Sequence, residues 1–225
     1  MIYFKSNIVN NKDLSDEAIF CYLALKGMDT QAHMVCASPT VLWSFMVWED
    51  IPLSSHLANR ILDGLYELKD NELISIEPCG RNHIHLIKTD RLFFDPNCNF
   101  FSTIREDEIR SLLKATTESG NKFGLLRYYA SVLATFSSTV HLNINGQSKN
   151  YVASYAPLKV IAKLSGFSHN TIYKYNKLLK ELKILYIANP HLQSRNYYCR
   201  YENKDALDAF LSDLSSDEMI DNIPK

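Results

Sequence analysis

The segment LKVIAKLSGFSHNTIYKYNKLLKELKILYI, residues 158–187, constrains the chain more than any other. Ala162, Gly166 and Ile172 stand four and six residues apart. Two helices that cross closely need a small residue at the crossing, a glycine able to take positive φ in the turn, and an apolar residue that plugs the second helix into the core. Ile161, Leu164, Phe167, Leu179 and Leu182 supply that core, and Ser168 sits where an N-cap belongs. The spacing predicts a helix over 157–164, a turn at Gly166 and a longer helix over 168–182, which together form a helix-turn-helix.

The face left over on the second helix carries His169, Asn170, Thr171, Tyr173, Lys174 and Lys177, with no acid among them. Composition sharpens this. The whole chain has 24 Lys+Arg against 25 Asp+Glu, but residues 122–201 hold eleven basic side chains and one acid. Residues 1–121 hold eleven and seventeen, and 202–225 two and seven. A basic block of this kind points to a polyanion. His169 and Asn170 lie in the turn of a recognition helix that reaches base edges, where Asn pairs bidentately with adenine. Thr171 suits a base or a phosphate. Lys174, Lys177, Lys159 and Lys163 suit phosphates, which add affinity without sequence choice. A loop over 189–195 has the position of a wing, with Arg195 in reach of a groove or backbone. The competing reading is a solvated lysine face on a protein-binding helical pair.

The pattern occurs twice. Residues 14–27 read as a helix with Ser15 as N-cap, and Ser38-Pro39 opens a second. Leu57, Ile61, Leu65 and Leu68 give a third, and 73–77 and 83–87 alternate as a hairpin. After a connecting helix over 103–117, the order resumes with a helix over 122–136, two short strands around Asn145-Gly146, the helix-turn-helix, and strands at 184–188 and 196–201. Ser54 and Ser168, Ile61 and Tyr175, and the two Glu-Leu-Lys triplets at 67–69 and 181–183 share an offset of 114. A period that long marks duplicated domains. The expected divisions are 1–102, the connecting helix 103–121, 122–201, and an acidic tail 202–225. The first copy has no glycine in its turn and contains Pro52. Its helix offers Ser55, His56, Asn59 and Arg60 as a second DNA site, beside Asp63 and Glu67; dimerisation or a protein partner is the alternative.

On these residues the chain resembles the tandem winged-helix proteins of Gram-positive bacteria, their plasmids and phages, including DnaD-like and plasmid replication-initiator proteins and helix-turn-helix regulators. The segment 158–187 carries the resemblance for the second domain, and LSDEAIFCYLALK with LSSHLANRILDGLYELKDNELISIE for the first. The resemblance implies a mainly α fold with small β-hairpin wings, two tandem winged helix-turn-helix domains joined by a helix. It implies a DNA-reading helix over 168–177 and a wing over 189–195.

The expected function is sequence-specific binding of double-stranded DNA, without catalysis, in transcription regulation or in plasmid or phage replication initiation. A winged-helix protein-interaction adaptor is the alternative. There is no phosphate-binding GxxxxGK[ST], GxSxG, HExxH or paired CxxC, and no cofactor is expected. His83 and His85 at i, i+2, with Tyr128-Tyr129 downstream, imitate the metal-bound histidines and nucleophilic tyrosine of HUH-type nicking enzymes. Cys79, His83, His85 and Cys98 match no common zinc spacing. No signal peptide or membrane span is visible, and five scattered cysteines suit a reducing cytosol. Expected partners are DNA, a second copy as homodimer, and a protein held by the first domain or the acidic tail. The tail is expected to carry a short helix over 205–214 and either to mask the basic domain, to bind a partner, or to be solvated.

Overall fold

A helix that is apolar on every side belongs in the middle of a unit. Residues Ala18 to Leu25 are eight in succession, and all are buried. The helix expected over 14–27 is enclosed on all its sides along this run. In the computed structural model, which describes residues 1–48, 51–79, 84–92, 101–115, 121–136, 138–144, 147–189 and 195–216, the chain forms helices with small antiparallel sheets in two compact units, Met1–Ser131 and Val132–Lys225.

The first unit runs β1 (Ile2–Lys5), α1 (Ser6–Val9), α2 (Asp16–Met28), β2 (Met34–Ala37), α3 (Pro39–Val47), α4 (Ser55–Asp70), β3 (Ser75–Pro78), β4 (His85–Lys88), β5 (Phe101–Ile104), α5 (Glu106–Lys114) and most of α6 (Lys122–Leu133). The buried helix is α2. Helix α4 crosses it so closely at Gly64 that a Cβ there would lie 2.6 Å from the Glu17 carbonyl carbon and 2.8 Å from the Ala18 nitrogen. Polar contacts stitch the crossing on either side. Ser15 caps α2 by accepting from the Ala18 amide at 3.1 Å. Its own amide donates to Glu67 Oε1 at 2.7 Å and its hydroxyl donates to Glu67 Oε2. Arg60 donates through Nε to Glu17 Oε1 at 2.7 Å and through Nη2 to the same oxygen.

The expected connecting helix belongs to this unit. β5 pairs antiparallel with β1, Ile2 opposite Ile104, and α5 buries Ile109, Leu112 and Leu113. A strand whose partner lies about a hundred residues away leaves no local signature. The unit boundary also falls at 131/132, ten residues beyond the expected 121/122. Arg127 shows why. It is buried and donates to the carbonyls of Leu14 and Asn11, each at 2.7 Å, and to Asp16 at 3.3 Å. Two cations counted with the basic block, Lys122 and Arg127, are thus part of the first unit.

The second unit continues with β6 (Ser138–Ile144), β7 (Gln147–Pro157), α7 (Leu158–Ser165), α8 (His169–Glu181), β8 (Leu185–Ala188), β9 (Arg195–Arg200) and α9 (Lys204–Ser216). Each unit contains strand, helix, helix, strand, strand in that order. The three-stranded sheet is β2-β4-β3 in the first, and the second repeats it as β7-β9-β8, with β6 added outside β7. Ser54 and Ser168 both cap their helices, accepting from the Leu57 and Thr171 amides at 3.2 and 3.3 Å. The helix ends follow a different offset. Both helices are left through a residue at positive φ, Glu72 at 57° and Lys183 at 53°, an offset of 111. The first Glu-Leu-Lys triplet therefore lies inside α4, while the second closes α8; the match of letters is not a match of structure. The first turn also does without glycine, because Trp48 takes the left-handed position at φ 61° that Gly166 takes at 77°.

Gly64→Ala should cost about 1–3 kcal/mol, because the added methyl meets backbone that cannot rotate aside. Denaturant unfolding of the variant should show a lower midpoint at unchanged slope. An unchanged midpoint would mean that α2 and α4 do not approach this closely.

Candidate nucleic-acid interface

The second unit holds the residues that the sequence points to. Helix α7 ends on Gly166, whose amide donates back to the Ala162 carbonyl at 3.0 Å. Two residues later Ser168 opens α8. Its hydroxyl takes the Thr171 amide and also bonds to Thr171 Oγ1 at 3.0 Å. Ser168 and Thr171 are thus occupied in building the helix start. Beyond them the helix has two distinct sides. Ile172, Tyr175, Asn176 and Leu179 are buried. His169, Tyr173 and Lys177 form one row at helical spacing and Asn170 and Lys174 the next, and all five are exposed. Tyr173 stands out at 61% exposure. Lys159 and Lys163 are exposed one turn apart on α7.

Of the ten residues singled out for the second unit, Ser168 to Lys177 lie at the cap and along α8, and Lys159 and Lys163 lie on α7. Arg195 begins β9 by its backbone, and the wing residues 190–194 lie outside the described residues. Lys177 has a partner the sequence reading did not give it: Glu181, at i+4 and 3.9 Å, the acid of the otherwise basic block. Both side chains are well exposed, so the pair is weak and leaves Lys177 available to a phosphate.

Sequence reasoning also missed Asn176. It is buried on the inner side of α8 and hydrogen-bonded to the hydroxyl of Tyr198 on β9, to which Asn196 Nδ2 also donates at 3.1 Å. Burial pushes the Tyr198 hydroxyl up, against these two hydrogen bonds. The signal was present: Asn176 follows Ile172 by four and precedes Leu179 by three, a core position filled by an amide. A buried amide needs a partner, and this one ties α8 to β9.

The acidic tail is not a solvated end over its described part. Ala206 and Leu207 of α9 are buried, and Leu207 packs with Ala153, Tyr197 and Cys199, where Phe210 meets Tyr197 at 6.3 Å between ring centroids. Successive residues of a strand face opposite sides. Tyr198 faces α8, so Tyr197 and Cys199 face away from it, and α9 covers that second side. Residues 204–212 therefore do not lie over the basic face of α8, which removes this part of the tail from a masking role. Tyr186 donates to Asp208 Oδ1 at 2.6 Å, and Lys204 to Asp208 Oδ2 at 2.7 Å. Burial, then Asp208, pushes Tyr186 up to about 12, and burial, then Asp208, raises the Cys199 thiol to about 12.

In the first unit the four proposed DNA contacts divide. Ser55, His56 and Asn59 are exposed at the start of α4. Arg60 is held by Glu17 and lies 5.5 Å over the ring of Phe123. Glu67, expected on the exposed face, is engaged with Ser15. Of the histidine–tyrosine constellation, His83 lies outside the described residues, His85 is buried, and Tyr128 and Tyr129 are both fully buried in α6, out of reach of a phosphate. Of the four zinc-like residues, His83 and Cys98 lie outside the described residues, Cys79 is exposed and His85 buried. Among the described residues no three metal-ligating side chains cluster, and no helix is long and apolar enough to cross a membrane.

Compared with known proteins, the chain matches no protein-family model, no curated protein and no solved structure.

Two outcomes test the docking of α9. Leu207→Asp should uncover Cys199, so that the thiol reacts with a disulfide reagent in the folded protein at least about tenfold faster than in the parent chain. Tyr186 has a raised pKa in the folded state, so its contribution to stability is complete below about pH 10 and is lost as pH rises toward about 12. Tyr186→Phe should therefore lose less stability across that window, as read from denaturant midpoints at stepped pH.

Proposed function

We propose that this chain is a sequence-specific duplex-DNA-binding protein of the cytoplasm, non-enzymatic, built on two tandem winged helix-turn-helix domains. The order strand, helix, helix, strand, strand with a central third strand is what such domains use, and both units have it. The observation that carries the reading is the outer side of α8. Its first turn projects His169 and Asn170 beyond an N-cap closed by Ser168, and exposed Tyr173, Lys174 and Lys177 follow on the same side. A helix whose first turn is free and whose flank is cationic enters a major groove end first. His169 and Asn170 then read base edges. Lys159, Lys163, Lys174 and Lys177 meet phosphates, with Arg195 at the wing.

The process is transcription regulation, as a dimer on an inverted repeat, or plasmid or phage replication initiation on an array of origin repeats. A footprint over the gene's own neighbourhood separates one promoter-proximal site from an array. The first unit serves a different purpose in this reading. Arg60 is spent on Glu17 and Glu67 on Ser15, which favours a platform for a partner over a second DNA reader.

Salt dependence tests the proposal. Four lysine–phosphate contacts predict a slope of log affinity on log salt of about −3.6, and Lys174→Ala should flatten it by about one unit on every sequence. Asn170→Ala should instead relax the preference at one base pair by about 1–3 kcal/mol and leave the slope unchanged. If duplexes selected from a random pool bind without salt sensitivity, the DNA reading fails and the adaptor reading replaces it.

A further inference from the structure

The start of α4 faces a cavity of about 170 Å³ inside the first unit, lined by Trp43, Ser54, His56, Leu57, Arg60, Lys122 and Phe123. Its walls are apolar and largely aromatic. Trp43 and Phe123 meet edge to face at 6.5 Å between centroids, and each also packs on Phe20. Its rim is cationic. Arg60 is held in place by Glu17 and by the Phe123 ring, which together use Nε, Nη2 and one face of the guanidinium and leave Nη1. Lys122 opens α6 half-buried, and its ammonium has no ion-pair or hydrogen-bond partner among the described residues. His56 adds a third donor, likewise without a partner among them.

The two properties belong to one ligand. Drug-sized molecules occupy pockets of about 300–1,000 Å³, so this volume admits a single ring with a small substituent. Glu17 balances the charge of Arg60; among the described residues no acid is paired with Lys122. A lysine ammonium beside aromatic walls is complementary to a planar anion and repels a planar cation. We infer that this cavity binds a small aromatic carboxylate, its ring against Trp43, Leu57 and Phe123 and its carboxylate on Lys122, with Arg60 and His56 alongside. The helix end that reads DNA in the second unit is, in the first, the mouth of a small-molecule site. This inference does not depend on DNA binding by α8.

The test uses the full chain carrying Trp48→Phe, so that Trp43 is the remaining tryptophan, with benzoate as probe and benzylamine and inorganic phosphate as controls. Benzoate should change Trp43 fluorescence saturably. Lys122→Gln should weaken it about tenfold at an unchanged melting temperature, and Lys122→Arg should restore most of the affinity. No saturable change with benzoate overturns the inference, as does equal binding of benzylamine or phosphate, or full affinity in Lys122→Gln. If Lys122→Gln instead lowers duplex affinity while benzoate fails to bind, the cluster belongs to a DNA backbone and the inference is again wrong.

Discussion

The first unit depends on a single contact of backbone with backbone. Where α4 crosses α2 at Gly64, no side chain separates them. That approach lets Arg60 reach Glu17 one turn before the crossing and Glu67 reach Ser15 one turn after it. Without it the two charged contacts would have to span a wider gap, and residues now spent inward would be available outside. A packing requirement thus decides the chemistry of the outer surface. The second unit has Leu178 at the position 114 residues after Gly64.

The second unit is organised by a sheet with two occupied faces. Tyr198 looks toward α8 and holds Asn176; Tyr197 and Cys199 look the other way and hold Leu207. The alternation of one strand therefore sets both the stance of α8 and the seat of the acidic helix α9. Asn176 matters here because an amide buried beside Ile172 and Leu179 can be satisfied in only a few orientations. Apolar packing alone would permit small rotations of α8 that this hydrogen bond resists.

What the sequence showed and what it hid follow from the range of the interactions. The caps at Ser15 and Ser168 and the left-handed Gly166 are local, within three or four residues of what they bind, and they were legible. The β1–β5 pairing and the Arg127 contacts join residues about a hundred or more apart, and they were not. The Glu-Leu-Lys repeat misled for a related reason: α4 is three residues longer than α8, so identical triplets fall at different depths of their helices. For the candidate interface, α8's exposed row was visible in its spacing. The loss of Arg60 to Glu17 was not, because the partner comes from another helix. Trp48 shows the remaining limit, since a tryptophan at positive φ does the turning that a sequence reader assigns to glycine.

The seat of α9 has an electrical consequence. Over 132–225 the chain carries eleven basic and eight acidic side chains, a modest excess of positive charge. The lysines of α8 belong to the helix on one side of the sheet, and Asp205 and Asp208 to the helix on the other. A body with this distribution has a dipole moment through its sheet as well as a net charge. In the field of a polyanion it feels a torque that turns the α8 side forward before any contact forms. The acidic helix then acts on any such approach of the second unit from the opposite side of its sheet, by orienting it.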